Sequence, residues 1–238
     1  MTKQEIREAV WGLLQSEHAA RFPGARGRIP NFTGAEQCAG HLAALEVWQA
    51  AHFIKANPDS PQRAIRHHAL KQGKTIYMAA PRLREEKCFV ELDPARLGKN
   101  LYAASSIKGA FEFGRQVSVK QMKPVDLIVC GSVAVRRDGA RTGKGGGYSD
   151  LEYAIALETG IVSSRTPIIT TVHPLQIVDE KIPREPYDIP VDFIITPDEI
   201  IDCKTRLPRP KGIYWRYLDD EKIAAIPLLK KLRARIRD

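Results

Sequence analysis

A chain of 238 residues, 43% hydrophobic and 27% charged, is long enough to bury a sizeable core and lies outside the composition of disordered chains. Its net charge of +9 suits an anionic partner, either a phosphorylated small molecule or nucleic acid. Apolar runs such as Val125–Val135 are too short and too polar to span a bilayer, and the charges within MTKQEIREAVWGLL exclude a signal-peptide core, so a cytoplasmic protein is expected.

In chain order, Thr2–Ser16 places Ile6, Val10, Leu13 and Leu14 at helical spacing, with Thr2 and Glu5 forming a capping box. Arg21–Gly34, rich in Pro, Gly and Arg, reads as an ordered loop, and a second helix follows over Ala35–Leu45. The pattern then alternates. Ala51–Ala56 is a strand, Ser60–Lys71 a helix opened by Ser60 and Pro61, and Lys74–Met78 a strand. Lys87–Leu92 is a further strand, and Val125–Val135 is the best candidate for a central buried one. Asp150–Leu157 is expected to be helical, and Pro167–Val172 and Val191–Ile195 to be strands. Asp219–Arg237 reads as one surface helix with Ile223, Ile226, Leu229, Leu232 and Ile236 on one side and a basic exposed face.

Strands alternating with helices predict one α/β domain over residues 1–238, with a mainly parallel sheet covered by helices. Ligands of such sheets lie beyond the carboxyl ends of the strands. Four isolated cysteines, Cys38, Cys88, Cys130 and Cys203, fit neither a zinc site nor a disulfide framework.

One stretch concentrates chemistry: Asp138-Gly-Ala-Arg-Thr-Gly-Lys-Gly-Gly-Gly-Tyr-Ser-Asp150, between the most apolar strand and a helix. Gly143, Gly145, Gly146 and Gly147 allow a turn whose N–H groups point at an anion. Arg141 and Lys144 add positive charge, and the helix start adds the favourable end of its dipole. The stretch is not a Walker A loop, since no Gly-Lys is followed by Ser or Thr. It is not a dinucleotide fingerprint, since Tyr148 stands at the third glycine position. Asp150 suits a magnesium ion on a nucleotide phosphate, because Ser149 and Glu152 already satisfy the helix-capping pattern.

The pattern G-x-R-x-G-x-G-G-G-Y-x-D over Gly139–Asp150 resembles the ATP-binding signature of the 5-formyltetrahydrofolate cyclo-ligases. Lys3-x-x-x-Arg7 looks like that family's basic ATP-holding pair, and Gln176–Asp192 resembles its closing segment. RIPNF (28–32), KANPDSPQ (55–62), PRLR (81–84), GSVAV (131–135) and PRPKGI (208–213) bring the likeness to the branch of methenyltetrahydrofolate synthase domain-containing proteins.

The resemblance implies a three-layer open sandwich of the sugar-phosphate isomerase and CoA-transferase type. It also implies ATP- and Mg²⁺-dependent conversion of 5-formyltetrahydrofolate to 5,10-methenyltetrahydrofolate. On this sequence it implies that Lys3, Arg7, Gly139, Arg141, Gly143, Lys144, Gly145, Gly146, Gly147 and Tyr148 hold ATP, and that Arg141, Lys144 and Tyr148 serve catalysis. Asp150 and Asp188 would hold Mg²⁺, and Asp59 and Ser149 would face the folate.

Asp59 and Ser149 are also departures, standing where the family usually has Glu and a second Tyr. The ATP half therefore looks intact and the folate half altered, which keeps open a related ATP-dependent reaction on another small heterocycle. RNA is a secondary candidate partner, through the basic stretches Lys204–Lys211 and Lys230–Arg237.

Overall fold

The computed structural model describes the backbone of residues 1–237 and the side chains of residues 1–235. The first half contains α1 (Lys3–Ser16), α2 (Gln37–His41), α3 (Glu46–Ala50), β1 (Phe53–Ala56), α4 (Arg63–Lys71), β2 (Thr75–Ala79) and β3 (Phe89–Leu92). Then come α5 (Pro94–Leu97), α6 (Leu101–Ala104), α7 (Ile107–Phe113), β4 (Arg115–Val117), β5 (Leu127–Cys130), β6 (Ala134–Val135) and β7 (Arg141–Thr142). The chain continues through α8 (Tyr148–Glu158), β8 (Ile168–Thr171), β9 (Phe193–Ile195), β10 (Ile200–Asp202), α9 (Asp220–Ala225) and α10 (Pro227–Arg237).

The main sheet has the order β10-β9-β8-β5-β1-β2-β3-β4. Its centre, from β9 to β2, is parallel, and β10, β3 and β4 close its edges in antiparallel pairing. Side chains alternate along each strand, so the sheet separates two cores. Ile54, Ala56, Ile76 and Met78 face one core, beneath α4 and its neighbours. Tyr77, Ala79, Ile128 and Cys130 face the other, under α8 and α10. The result is the expected three-layer, mainly parallel α/β architecture. A third apolar cluster seats α1 against the β6–β7 hairpin, with Ile6, Val10, Trp11 and Leu14 packed on Val133, Ala134 and Ala140.

Several elements differ from expectation for local reasons. The capping box of α1 forms as predicted, with the Glu5 N–H donating to Thr2 Oγ1 at 3.2 Å and the Thr2 N–H donating to the Glu5 carboxylate at 2.8 Å. Its buried face uses Trp11, however, while Leu13 is 40% exposed. The Val125–Val135 run breaks after Cys130. A Cβ on Gly131 would meet Asp59 and Ile29 at 2.9 Å, so the chain must narrow where the loop after β1 passes. It then leaves the sheet as the β6–β7 hairpin. The expected helix over 35–45 shrinks to α2 and a 3₁₀ turn at Leu42–Ala44.

The final helix is two helices, because Pro227 lacks the N–H and the room to continue α9. Ile223, Ile226, Leu229 and Leu232 all face the core as read, and Ile236 lies outside the described residues. Among the described residues no helix is long and apolar enough to cross a membrane, and all four cysteines are free and buried.

Candidate functional site

From β1 the chain proceeds to β2 on one side and returns to β5 on the other, so the strand order reverses between β1 and β5. Beyond the carboxyl ends of two such strands the backbones diverge and leave a crevice. Asn57–Asp59 leave β1 there, and Gly131 leaves β5. The glycine-rich turn lies over the same place, because Lys144 Nζ is 3.8 Å from Asp59 Oδ1 and Arg141 Nη2 donates to the Gly131 carbonyl at 3.2 Å.

The turn is built by backbone conformations that glycine alone adopts without strain. Gly145 has φ +107° and Gly147 φ +67°, and Gly147 is the residue from which α8 starts. From α1, one turn apart on the same face, Lys3 and Arg7 reach over. Arg7 Nε donates to the Gly143 carbonyl at 2.6 Å and Nη2 to Thr142 Oγ1 at 3.1 Å. Lys3 Nζ donates to Asp188 Oδ2 at 2.5 Å. Burial lowers the pKa of the Arg7 guanidinium, which Asp188 partly restores and Arg141 depresses further.

Arg141 lies under the turn, only 3% exposed. Its Nη1 donates to Asp150 Oδ1 at 2.9 Å. Burial acts to lower its pKa, but Asp150, Cys130 and Asp188 together leave it above the usual value. Lys144 is the reverse case, with a half-exposed side chain whose ion pair with Asp59 spans 3.8 Å.

Two sequence readings are corrected by tertiary partners. The helix begins at Tyr148, and neither Ser149 nor Glu152 caps it. Ser149 Oγ accepts from Asn57 Nδ2 at 2.6 Å, and Glu152 forms a buried ion pair with Lys55 on β1. Lys55 Nζ also donates to Asn57 Oδ1 at 2.8 Å, tying α8, β1 and the loop after β1 into one polar network.

Gly139 is not at the cradle. It turns the β6–β7 hairpin at φ +91°, its N–H donating to the Arg136 carbonyl at 2.9 Å and its carbonyl accepting from the Val191 N–H at 2.9 Å. A Cβ there would lie 2.4 Å from the Val191 carbonyl. Gly139→Ala is therefore expected to cost about 2 kcal/mol or more in a thermal or chemical melt. Anion affinity of the folded fraction should change little, because neither backbone group of Gly139 is left to bind a ligand.

A model described as the 5-formyltetrahydrofolate cyclo-ligase family matches residues 1–197. The chain belongs to this family. It is similar to a mouse methenyltetrahydrofolate synthase domain-containing protein, 41% identical over 240 residues that cover 99% of this chain and 64% of that protein. The chain thus spans less than two thirds of that relative's length. It is also similar to the 5-formyltetrahydrofolate cyclo-ligase of Mycolicibacterium smegmatis, 35% identical over 204 residues, covering 82% of this chain and 94% of that one. The solved structure of Aquifex aeolicus 5,10-methenyltetrahydrofolate synthetase shares the fold, with a TM-score of 0.54, 20% identity, and coverage of 92% of this chain and 100% of that chain.

Asp150 and Asp188, the two carboxylates expected at a metal site, both act on the Arg141 guanidinium beneath the turn. Asp150 Oδ1 accepts from Arg141 and, at 3.1 Å, from the Ile189 N–H. Asp188 Oδ2 accepts from Lys3 and, at 2.6 Å, from the Glu185 N–H. Those bonds hold one oxygen of each carboxylate, and the second makes no hydrogen bond among the described residues. No group of three or more His, Cys, Asp or Glu that could hold a metal occurs among the described residues. Two carboxylate oxygens suit Mg²⁺, which keeps waters and phosphate oxygens as its other ligands, and would not make a cage for a metal bound by protein alone.

Sequence reasoning missed Arg66. Arg66, fully buried on α4, donates to the carbonyls of Asn57, Pro58, Asp59 and Ser105 and so shapes the loop that carries Asp59. A signal existed, since Arg66 shares the buried side of α4 with Ile65, Ala69 and Leu70. His173 caps the turn that follows β8. It accepts from the Leu175 N–H at 3.2 Å, and burial lowers its pKa.

Proposed function

We propose that the chain is an ATP- and magnesium-dependent cyclo-ligase that converts 5-formyltetrahydrofolate to 5,10-methenyltetrahydrofolate. The observation that carries this reading is the glycine turn at the strand-order reversal, flanked by the cations of Lys3, Arg7 and Lys144. In the proposed reaction the formyl oxygen takes the terminal phosphoryl group of ATP, and folate N10 closes the ring as phosphate departs.

The protein's part is positioning and charge stabilisation. The N–H groups of Gly145–Gly147 and the start of α8 face the phosphates, and Lys144 leaves Asp59 to neutralise them. Arg141 acts from below by fixing Asp150. Tyr148 begins α8 beside the transferred group and walls the turn. Mg²⁺, held by Asp150 and Asp188 when bound, supplies further neutralisation of phosphate charge. Asp59 and Ser149, both at the β1 end, take the polar edge of the folate ring. Asp59 replaces a longer carboxylate, and the loop held by Arg66 and Asn57 sets its reach.

The test follows methenyltetrahydrofolate by absorbance in a mixture of protein, 5-formyltetrahydrofolate, MgCl₂ and ATP. Product formation that requires both ATP and Mg²⁺ is expected. No product from protein that binds MgATP would leave the nucleotide site and overturn the folate assignment. The altered folate half, with Ser149 where the family has an aromatic ring, would then point to a different heterocyclic substrate.

A further inference from the structure

The family match stops at residue 197, yet the following chain returns to the glycine turn. Residues 213–222 run past it as a strap. Lys222 Nζ donates to the Gly146 carbonyl at 3.0 Å and lies 4.8 Å from the centre of the Tyr148 ring. Under the strap is a pocket of about 170 Å³, with Gly145–Gly147 and Asp150 on one side and Tyr187, Tyr214 and Tyr217 on the other. The tyrosines hold one another edge to face, Tyr187 to Tyr217 at 5.0 Å and Tyr214 to Tyr217 at 6.4 Å between ring centres. Gly212 brings the chain in. A Cβ there would meet Glu158 Oε2 of α8 at 2.7 Å, so the strap enters in close contact with the helix that begins at the turn.

We infer that this strap-lined pocket is the subsite for the heteroaromatic base of the nucleotide. The inference rests on the reading of the turn as a triphosphate cradle. Size is the first argument. Sites that enclose a whole ligand run to roughly 300–1,000 Å³, and this one is smaller, suited to a single ring system. Chemistry is the second, since clustered aromatic faces bind any base by stacking. Position is the third. Ser149 and Asp59 face the β1 end, whereas the pocket lies on the Asp150 side of the turn. Phosphoryl transfer needs the attacking and leaving oxygens roughly in line, which sends acceptor and nucleotide to opposite sides of the cradle. The pocket lies where the nucleotide must go.

The experiment is calorimetry of MgATP and of magnesium tripolyphosphate on the wild type, on Tyr214→Ala/Tyr217→Ala, and on Tyr214→Phe/Tyr217→Phe. The alanine pair is expected to bind MgATP about tenfold more weakly, with tripolyphosphate affinity unchanged. The phenylalanine pair, which keeps the rings, should restore MgATP affinity. MgATP affinity unchanged in the alanine pair, or lost equally with tripolyphosphate, would overturn the base subsite and leave the phosphate cradle standing. A wild type that binds neither ligand would overturn the cradle and the subsite together.

Discussion

Arg141→Ala is expected to lower the unfolding free energy by about 3–5 kcal/mol in a denaturant titration. The guanidinium is 3% exposed and forms the buried partner of Asp150. Its removal leaves a carboxylate in a low-dielectric floor facing no cation, and also an unpaired Gly131 carbonyl. Arg141→Lys should recover only part of the loss. A single ammonium does not reproduce the fork that holds Asp150 and Gly131 at once. The cause is separable by a cycle. Arg141→Met combined with Asp150→Leu should be less damaging than Arg141→Ala alone, because no charge is then stranded. Additive losses would show that packing, and not the ion pair, sets the effect.

Arg66→Ala is expected to be comparably severe, about 4 kcal/mol or more by the same measurement. Burial lowers the pKa of this guanidinium to about 10, an effect offset in part by Asp59. Its four carbonyl acceptors come from Asn57, Pro58 and Asp59 on the loop after β1 and from Ser105 after α6. Truncation removes the donor from the Asn57, Pro58 and Ser105 carbonyls, leaves the Asp59 carbonyl only its bond from the Gln62 N–H, and opens a cavity of guanidinium size under the proposed substrate side of the site. Material that still folds should lose substrate affinity more than ATP affinity. That split distinguishes a shaped loop from general destabilisation.

The order of the fold was legible because the strands of its centre are apolar runs bounded by turn residues. β1, β5, β8 and β9 fall within predicted segments, and β2 runs one residue past its own, to Ala79. The edges were not legible. β4 and β10 have three residues each, too few for a period of two to register, and α5 and α6 are single turns. The turn itself was legible because glycine, Arg and Lys are concentrated within Gly139–Asp150.

What each residue does there was less so, because burial and long-range partners leave no local trace. Arg141 reads as a phosphate ligand by type, yet it lies beneath the cradle. Gly139 belongs to the family's pattern, yet its backbone is committed to Val191, 52 positions away. Ser149 and Glu152 satisfied a capping rule in sequence, and stronger partners, Asn57 and Lys55, claimed both. Lys222 and the strap tyrosines lie far along the chain from the turn, and no spacing rule connects them to it.

Everything proposed for this site depends on the glycine turn holding nucleotide phosphates. That is tested most directly by titrating MgATP into the wild type and Lys144→Ala in a calorimeter. Lys144 is the cation of the turn whose side chain is half exposed and, among the described residues, is held by a 3.8 Å contact with Asp59. Its removal should leave the fold intact. Binding by the wild type is expected, with affinity weakened roughly ten- to a hundredfold in the variant, the worth of one charge-assisted contact. Equal MgATP affinity in the two folded proteins, or no binding by the wild type, would contradict it.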